Sequence, residues 1–461
     1  MPTTSNATTT DAPSARTPGA GAVFALSWPM TLKAVFLHGT VVIDGWLVSS
    51  LGETSLAAMG LAAAVGGFVS GVIFAFSNAL QIRTAQAFGS GDAVFRKSTL
   101  AAGLVTGIAI GLAGVAAIVL FGRSALAALA PDPAIAAQAW TYLAIFSGVI
   151  LAEAIGQNLA SHFNGCGRSK LPLLGYCLSV PVNVLASVVL IHGYVGLPAL
   201  GIAGAAIGSV IGIAIQAAVL IIAVIRIEGA LRHVSGWHNG TLPATLARHL
   251  RFAWPIAVTF VSANFANRVC MLIYAQMSLS GFAAMTLIMP WVMVAGTIGM
   301  QWAQASGIIV AQLLGDRRPA AVLDQFLSAA WRASFGAAAL VAVVYGAICL
   351  SPPYLYPSLS AETQTILASF ALVLIVLPFP KQSNAICGNT LRASGDTVAV
   401  MHIFVWTQWL FRVPATALAV LVLDLPPVWV LSLLVWEEIL KFPLFHRRLW
   451  RGDWKTATVA V

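Results

Sequence analysis

Asp44-Gly-Trp-Leu-Val-Ser-Ser-Leu-Gly-Glu-Thr-Ser-Leu-Ala-Ala-Met-Gly60 decides the fold. A carboxylate stands inside an apolar run, a small-residue turn follows around Gly52, and a second apolar run begins behind it. Charge at bilayer depth is disfavoured by roughly 2.5–3.5 kcal/mol on insertion scales, so an Asp within a membrane-crossing helix marks a functional site by default. The alternative is an Asp near a helix end that reaches the interface or a neighbouring donor. Asp44 lies well before the turn, which favours the first reading.

The rest of the chain supplies the membrane context. Of 461 residues, 59% are hydrophobic and only 8% charged, with a mean hydropathy of +0.89. No soluble domain hides that much apolar surface, so the chain reads as an all-α polytopic membrane protein. Twelve apolar spans are each long enough to cross a bilayer, at about 24–50, 57–82, 98–122, 134–162, 171–192 and 199–226, then 249–278, 281–313, 325–351, 362–391, 398–422 and 427–446. Residues 1–22, rich in Thr, Ala, Pro and Ser, read as a disordered cytoplasmic tail without a signal-peptide core. Residues 23–228 and 249–446 form two six-helix units, joined by a linker at 229–248 and followed by a tail at 447–461. Cys166, Cys177, Cys270, Cys349 and Cys387 form no CxxC pair, so no metal, cofactor or disulfide framework is expected.

Lysine and arginine set the orientation. Arg83, Arg96, Lys97, Arg168, Lys170, Arg226, Arg232, Arg248, Arg251, Arg317, Arg318, Arg332, Arg392, Arg447, Arg448, Arg451 and Lys455 fall on one side, and only Arg123 on the other. Positive loops stay inside, so both termini are expected in the cytoplasm, in a multi-pass protein of the cell inner membrane. Bilayer topology, not nucleic acid, then explains the formal net charge of +9.

An internal repeat runs through the chain. Trp28-Pro29 returns as Trp254-Pro255, Ala57-Ala58 as Ala283-Ala284, and Ala85-Gln86-x-x-Gly89 as Ala311-Gln312-x-x-Gly315, all at an offset of 226 residues. Two parallel repeats are a transporter architecture, with the transport path between the halves.

These landmarks, with Ala85-Gln-Ala-Phe-Gly-Ser-Gly-Asp92, Pro181-Val-Asn183, Gly201-Ile-Ala-Gly-Ala-Ala206, Leu391-Arg-Ala-Ser-Gly-Asp-Thr397 and Arg412-Val-Pro414, resemble the multidrug and toxic compound extrusion (MATE) family from residue 24 to about 446. The resemblance implies a V-shaped pair of pseudo-symmetric six-helix bundles that exports substrates against an inward proton or sodium flux. It also implies an ion site. Asp44 matches the family's first-span carboxylate, Asn183 the fifth-span Asn, and Ser209 stands where the sixth span usually has Thr. Ser187 stands where many relatives have a second Asp, which favours protons over sodium. Counted from the outer span ends, Asp44, Asn183 and Ser209 share a depth of roughly 9–15 Å. The alternative for Asn183 and Ser209 is bonding to backbone carbonyls between packed helices.

In the second half Cys270 takes the place of Asp44, and Asn264, Asn267 and Arg268 form an i, i+3, i+4 polar face. Lys381 with Asn384, Gln301 with Gln304, and Asn78 with Gln81 form further stripes. Together they are read as the wall of a substrate cavity open to zwitterionic, neutral or anionic compounds; the alternative is interhelical packing. Arg412 in span eleven and Glu437 and Glu438 in span twelve lie at similar depth on either side of the Asp424 turn, so a structural ion pair is expected, with Lys441 sharing the carboxylates. Lys33 and Glu153 are a further possible pair. His38, His162, His192 and His402 show no ligand spacing, and Gly165-Cys-Gly-Arg-Ser-Lys170 lacks the spacing of a phosphate loop.

The expected function is a secondary antiporter exporting small amphipathic compounds in exchange for protons. A sodium-coupled exporter and a flippase for lipid-linked precursors are the alternatives. No clustered nucleophile, acid–base pair or metal set suggests an enzyme. The expected partners are a small-molecule substrate, the coupling proton or sodium ion and the lipid bilayer, with no nucleic acid, and the chain is expected to be a monomer.

Overall fold

A computed structural model describes residues 18–229, 242–355 and 359–456. Arg232 and parts of the tail, linker and C-terminal segments read at 1–22, 229–248 and 447–461 lie outside the described residues. The first bundle comprises α1 (Ala20–Ser49), α2 (Glu53–Gly89), α3 (Ala93–Leu129), α4 (Pro133–Gly165), α5 (Lys170–His192) and α6 (Ile202–Glu228). The second comprises α7 (Leu242–Tyr274), α8 (Leu279–Gly315), α9 (Ala320–Leu350), α10 (Ala361–Val376 and Pro378–Ala393), α11 (Thr397–Val422) and α12 (Pro427–Trp450).

Local chemistry fixes the turns. Gly52, at φ +100°, turns α1 into α2, a backbone conformation that a side chain would strain. Asp92 caps α3 by accepting from the Val94 and Phe95 amides at 2.8 and 2.9 Å. Asp132 caps α4 ahead of Pro133 at the first helical position, where no amide hydrogen is needed.

Several helices outrun their apolar runs. The run read at 57–82 lies within a helix that extends to Gly89, because buried Arg83 and Gln86 pack against protein rather than lipid. Likewise α1 begins at Ala20 and α7 at Leu242, inside segments read as tail and linker. Among the described residues ten helices are long and apolar enough to span by themselves, and the two halves of α10, bent by 42° at Leu377, make an eleventh if they form one span. Pro378 and Pro380 remove ladder donors at that bend. The twelfth, α12, falls short in apolarity because Glu437, Glu438 and Lys441 lie within it, all buried.

Within the first bundle α2 packs on α4, and α5 and α4 pack on α6; the bundles meet along α1 and α2 against α7 and α8. At mid-span the Phe74 and Phe260 rings approach to 5.6 Å across that junction.

Candidate functional site

Asp44 is buried on α1, and its Oδ2 accepts a hydrogen bond from the Ser209 hydroxyl on α6 at 3.2 Å. The same hydroxyl faces the Ala205 carbonyl at 3.2 Å, one turn earlier on α6. A hydroxyl has one hydrogen, so the two acceptors compete for it. Tyr142 on α4 lies beside both Asp44 and Ser209, with its ring stacked on Phe146 at 5.8 Å. Sequence reasoning missed Tyr142, a lone aromatic in an apolar span with no pattern around it.

Small residues bring α5 into the group. Gly204, Gly208 and Gly212 recur one turn apart on α6, and a Cβ on any of them would overlap α5. A Cβ on Gly208 would collide with the Ser187 hydroxyl and stand 2.8 Å from the Ser187 amide nitrogen; one on Gly212 would stand 2.7 Å from Asn183 Cβ. Asn183 and Ser187 therefore press on the turn of α6 that carries Ser209. Asp44 Oδ1, Asn183 Oδ1 and Ser187 Oγ are buried without a protein hydrogen-bond partner. Other buried oxygens share this state, but these three lie on the packed α1, α5 and α6 segments around Ser209, where a proton, a cation or water would satisfy them.

The second bundle holds a buried charge cluster. The Arg412 guanidinium donates to Glu437 at 3.3 Å and to the Asn267 side-chain oxygen. Lys441 Nζ lies 2.8 Å from Glu437 and 3.1 Å from Glu438. Asn384 donates to the Glu438 carbonyl at 2.8 Å and to its carboxylate at 2.9 Å. A wide helical turn at Thr407–Arg412, just ahead of Pro414, aims Arg412 inward.

The polar face read on α7 is dispersed among different surroundings. Asn267 pairs with Arg412, the Asn264 amide donates to its own helix at Phe260 O (2.9 Å), and Arg268 is exposed. Asn384 belongs to the buried charge cluster rather than to an open wall. Gln81 is buried and accepts from Asn164 at 3.1 Å, so it too is a packing group. Asn78, Gln301 and Gln304 are half-buried. Lys381 lines an internal cavity of about 30 Å³ with Tyr345 and Gln382, room for one or two waters, and Arg268 is not among its walls. The shared cavity read for Arg268 and Lys381 therefore does not form there: the bend in α10 turns Lys381 towards α8 and α9.

Two further clusters lie in the first bundle. Lys33 Nζ donates to Gln157 at 3.3 Å rather than closing an ion pair with Glu153, one turn away on α4, whose Oε2 is buried without a partner. Atoms of His162, Cys166 and Glu228 lie within 4.8 Å of one another, a grouping that would suit a metal ion. Arg96, however, holds both Glu228 oxygens, at 3.2 Å through Nε and 2.8 Å through Nη2, so the group is a closed ion pair. The signal for it was the i, i+4 spacing of His162 and Cys166.

The MatE family profile matches residues 29–189 and 255–418, one copy in each bundle. This chain belongs to the MatE family. MATE proteins are membrane transporters rather than enzymes, and this one is a multi-pass member. It is 28% identical over 411 residues, 84% of each chain, to a protein of Bradyrhizobium diazoefficiens described as "Probable multidrug resistance protein NorM". Its fold superposes on a MATE crystal structure in the bent conformation with a TM-score of 0.82, covering 95% and 97% of the two chains at 16% identity. It superposes equally, at 0.82, on an outward-facing MATE transporter, covering 93% and 96% at 17% identity. At those identities the structures speak for the fold alone: two pseudo-symmetric six-helix bundles.

Proposed function

We propose that this MATE protein is a secondary antiporter that exports small amphipathic compounds in exchange for protons, with Asp44 as the coupling group. One observation carries the reading: a buried carboxylate with one oxygen bonded to Ser209 and the other without a protein partner. Protonation of Oδ2 makes it a donor to the Ser209 hydroxyl oxygen, and the Ser209 hydrogen then turns to Ala205 O. Protonation of Oδ1 makes an acceptor into a donor beside the closely packed α5–α6 pair. Either event changes what ties α1 to α6, so proton loading on one side of the membrane and release on the other can bias the arrangement of the first bundle.

Asn183, Ser187 and Ser209 complete the coupling site, while Asn78, Gln301, Gln304 and Arg268 line the substrate path. Residues 23–228 and 249–446 act as two lobes joined by the 229–248 linker. The arginine-rich face is cytoplasmic, in the inner membrane, and the chain works as a monomer. The relatives' name supports drugs or other toxic compounds as substrates.

The sodium reading has one observation in its favour: three buried oxygens without donors suit a hard cation. Ser187 in place of an acid leaves Asp44 as the one formal charge among them. Everted vesicles decide between the two. Substrate-induced proton release without sodium is expected. A sodium requirement at fixed pH, insensitive to collapse of the proton gradient, would overturn proton coupling.

A further inference from the structure

The repeated motifs Ala85-Gln86-x-x-Gly89 and Ala311-Gln312-x-x-Gly315 end α2 and α8, and they meet across the junction of the bundles. Each glycine admits the other's backbone. A Cβ on Gly89 would overlap the Gln312 carbonyl oxygen and stand 2.7 Å from its carbon; a Cβ on Gly315 would overlap the Gln86 carbonyl oxygen and stand 3.0 Å from its carbon. At those separations only glycine fits without moving a helix.

The glutamine side chains reach further into the opposite bundle. Gln86 Nε2 donates to the Ala393 carbonyl at 2.8 Å, and Gln312 Nε2 to the Gly165 carbonyl at 2.7 Å. Gly165 is the last residue of α4 and Ala393 the last of α10. Carbonyls at a helix C-terminus have no partner within their own helix, so each bundle caps a helix of the other. The arrangement is reciprocal: separating the bundles on this face breaks both glutamine hydrogen bonds and both glycine contacts together. A cavity of about 860 Å³ borders it, lined in part by Gly89, Gly167, Arg168, Gln312 and Asp316. Water there can take up the released amides and carbonyls, which keeps opening reversible.

We propose that Gln86 and Gln312, packed through Gly89 and Gly315, form a reciprocal latch that holds the two bundles closed on the arginine-rich face and releases when that face opens during transport. The role in the cycle rests on the antiport reading above; the latch itself sets the resting equilibrium between closed and open.

Spin labels on the repeat partners Val94→Cys and Ala320→Cys, both exposed, report the separation of this face by double electron–electron resonance in nanodiscs. Cys177, which is exposed, is changed to Ser first. The latched protein should give one short distance population. Gln86→Ala and Gln312→Ala each remove one side-chain amide without adding bulk or charge; each should raise the open-to-closed ratio about five-fold, and together more. Gly89→Ala should open the face further in whatever fraction folds. Unchanged distance distributions in the glutamine double variant, eluting as a folded monodisperse protein, would overturn the latch. Failure of the antiport reading shows separately, as vesicles whose unmutated protein exports nothing in response to an ion gradient.

Discussion

The Arg412 guanidinium on α11 meets the Glu437 carboxylate on α12 at 3.3 Å, and both groups are buried. Lys441 approaches the same carboxylate at 2.8 Å from one turn further along α12. Without Arg412 the buried Glu437 and Glu438 carboxylates have Lys441 shared between them, one ammonium against two negative charges. Arg412→Ala should therefore destabilise the second bundle by about 3–5 kcal/mol. Thermal unfolding in detergent and folded yield check this. Arg412→Glu combined with Glu437→Arg should recover part of the loss, with Lys441 repelling the new arginine and limiting the recovery.

Asp44→Asn keeps the shape and removes a buried charge, so folded yield should be unchanged or higher. Ion-driven export should be abolished, because the amide cannot exchange a proton. Drug resistance in cells and transport in vesicles, both at matched protein level, are the measurements. Export at the normal rate would remove Asp44 from the coupling role.

Tyr142→Phe retains the stack on Phe146 and deletes the hydroxyl beside Asp44 and Ser209. Losing one hydrogen-bonding group costs about 1 kcal/mol, so the melting temperature should fall by a few degrees and export by about five-fold. An unchanged export rate in vesicles would leave Tyr142 as packing alone.

Gly208→Ala forces α5 away from α6 at Ser187, where the amide nitrogen stands 2.8 Å from the new Cβ. Overpacking of this kind costs about 1–3 kcal/mol and moves Ser187 and Asn183 together. Both melting temperature and export should drop. Gly60→Ala on α2, with nothing within 4 Å of its Cβ, is the control and should be neutral or slightly stabilising. Equal behaviour of the two variants would contradict the small-residue account of the α5–α6 contact.

Much of this protein was determined by the sequence alone. Hydropathy placed twelve spans because a helix crossing lipid must be apolar along its length, a one-dimensional property. The 226-residue offset marked the pseudo-symmetry because both halves keep the same landmarks without a gap. Asp44 was conspicuous because a charge in an apolar run has few innocent explanations. Helical rise put Arg412 and Glu437 at one depth, since depth follows from counting residues.

Rotation about each helix axis, and therefore each side chain's partner, was decided by the tertiary structure. Asn264, Asn267 and Arg268 share a stretch of α7 but meet, respectively, their own backbone, Arg412 and an exposed surface. Lys381 and Arg268 had matching chemistry, yet the bend in α10 sends Lys381 into a small internal cavity. Tyr142 carried no signal because the contact that gives it meaning joins three helices. Gln86 and Gln312 were visible as a repeat, but their pairing with Ala393 and Gly165 depends on how two bundles pack. Periodicity reports which residues face protein rather than lipid; only packing determines which protein atoms they face.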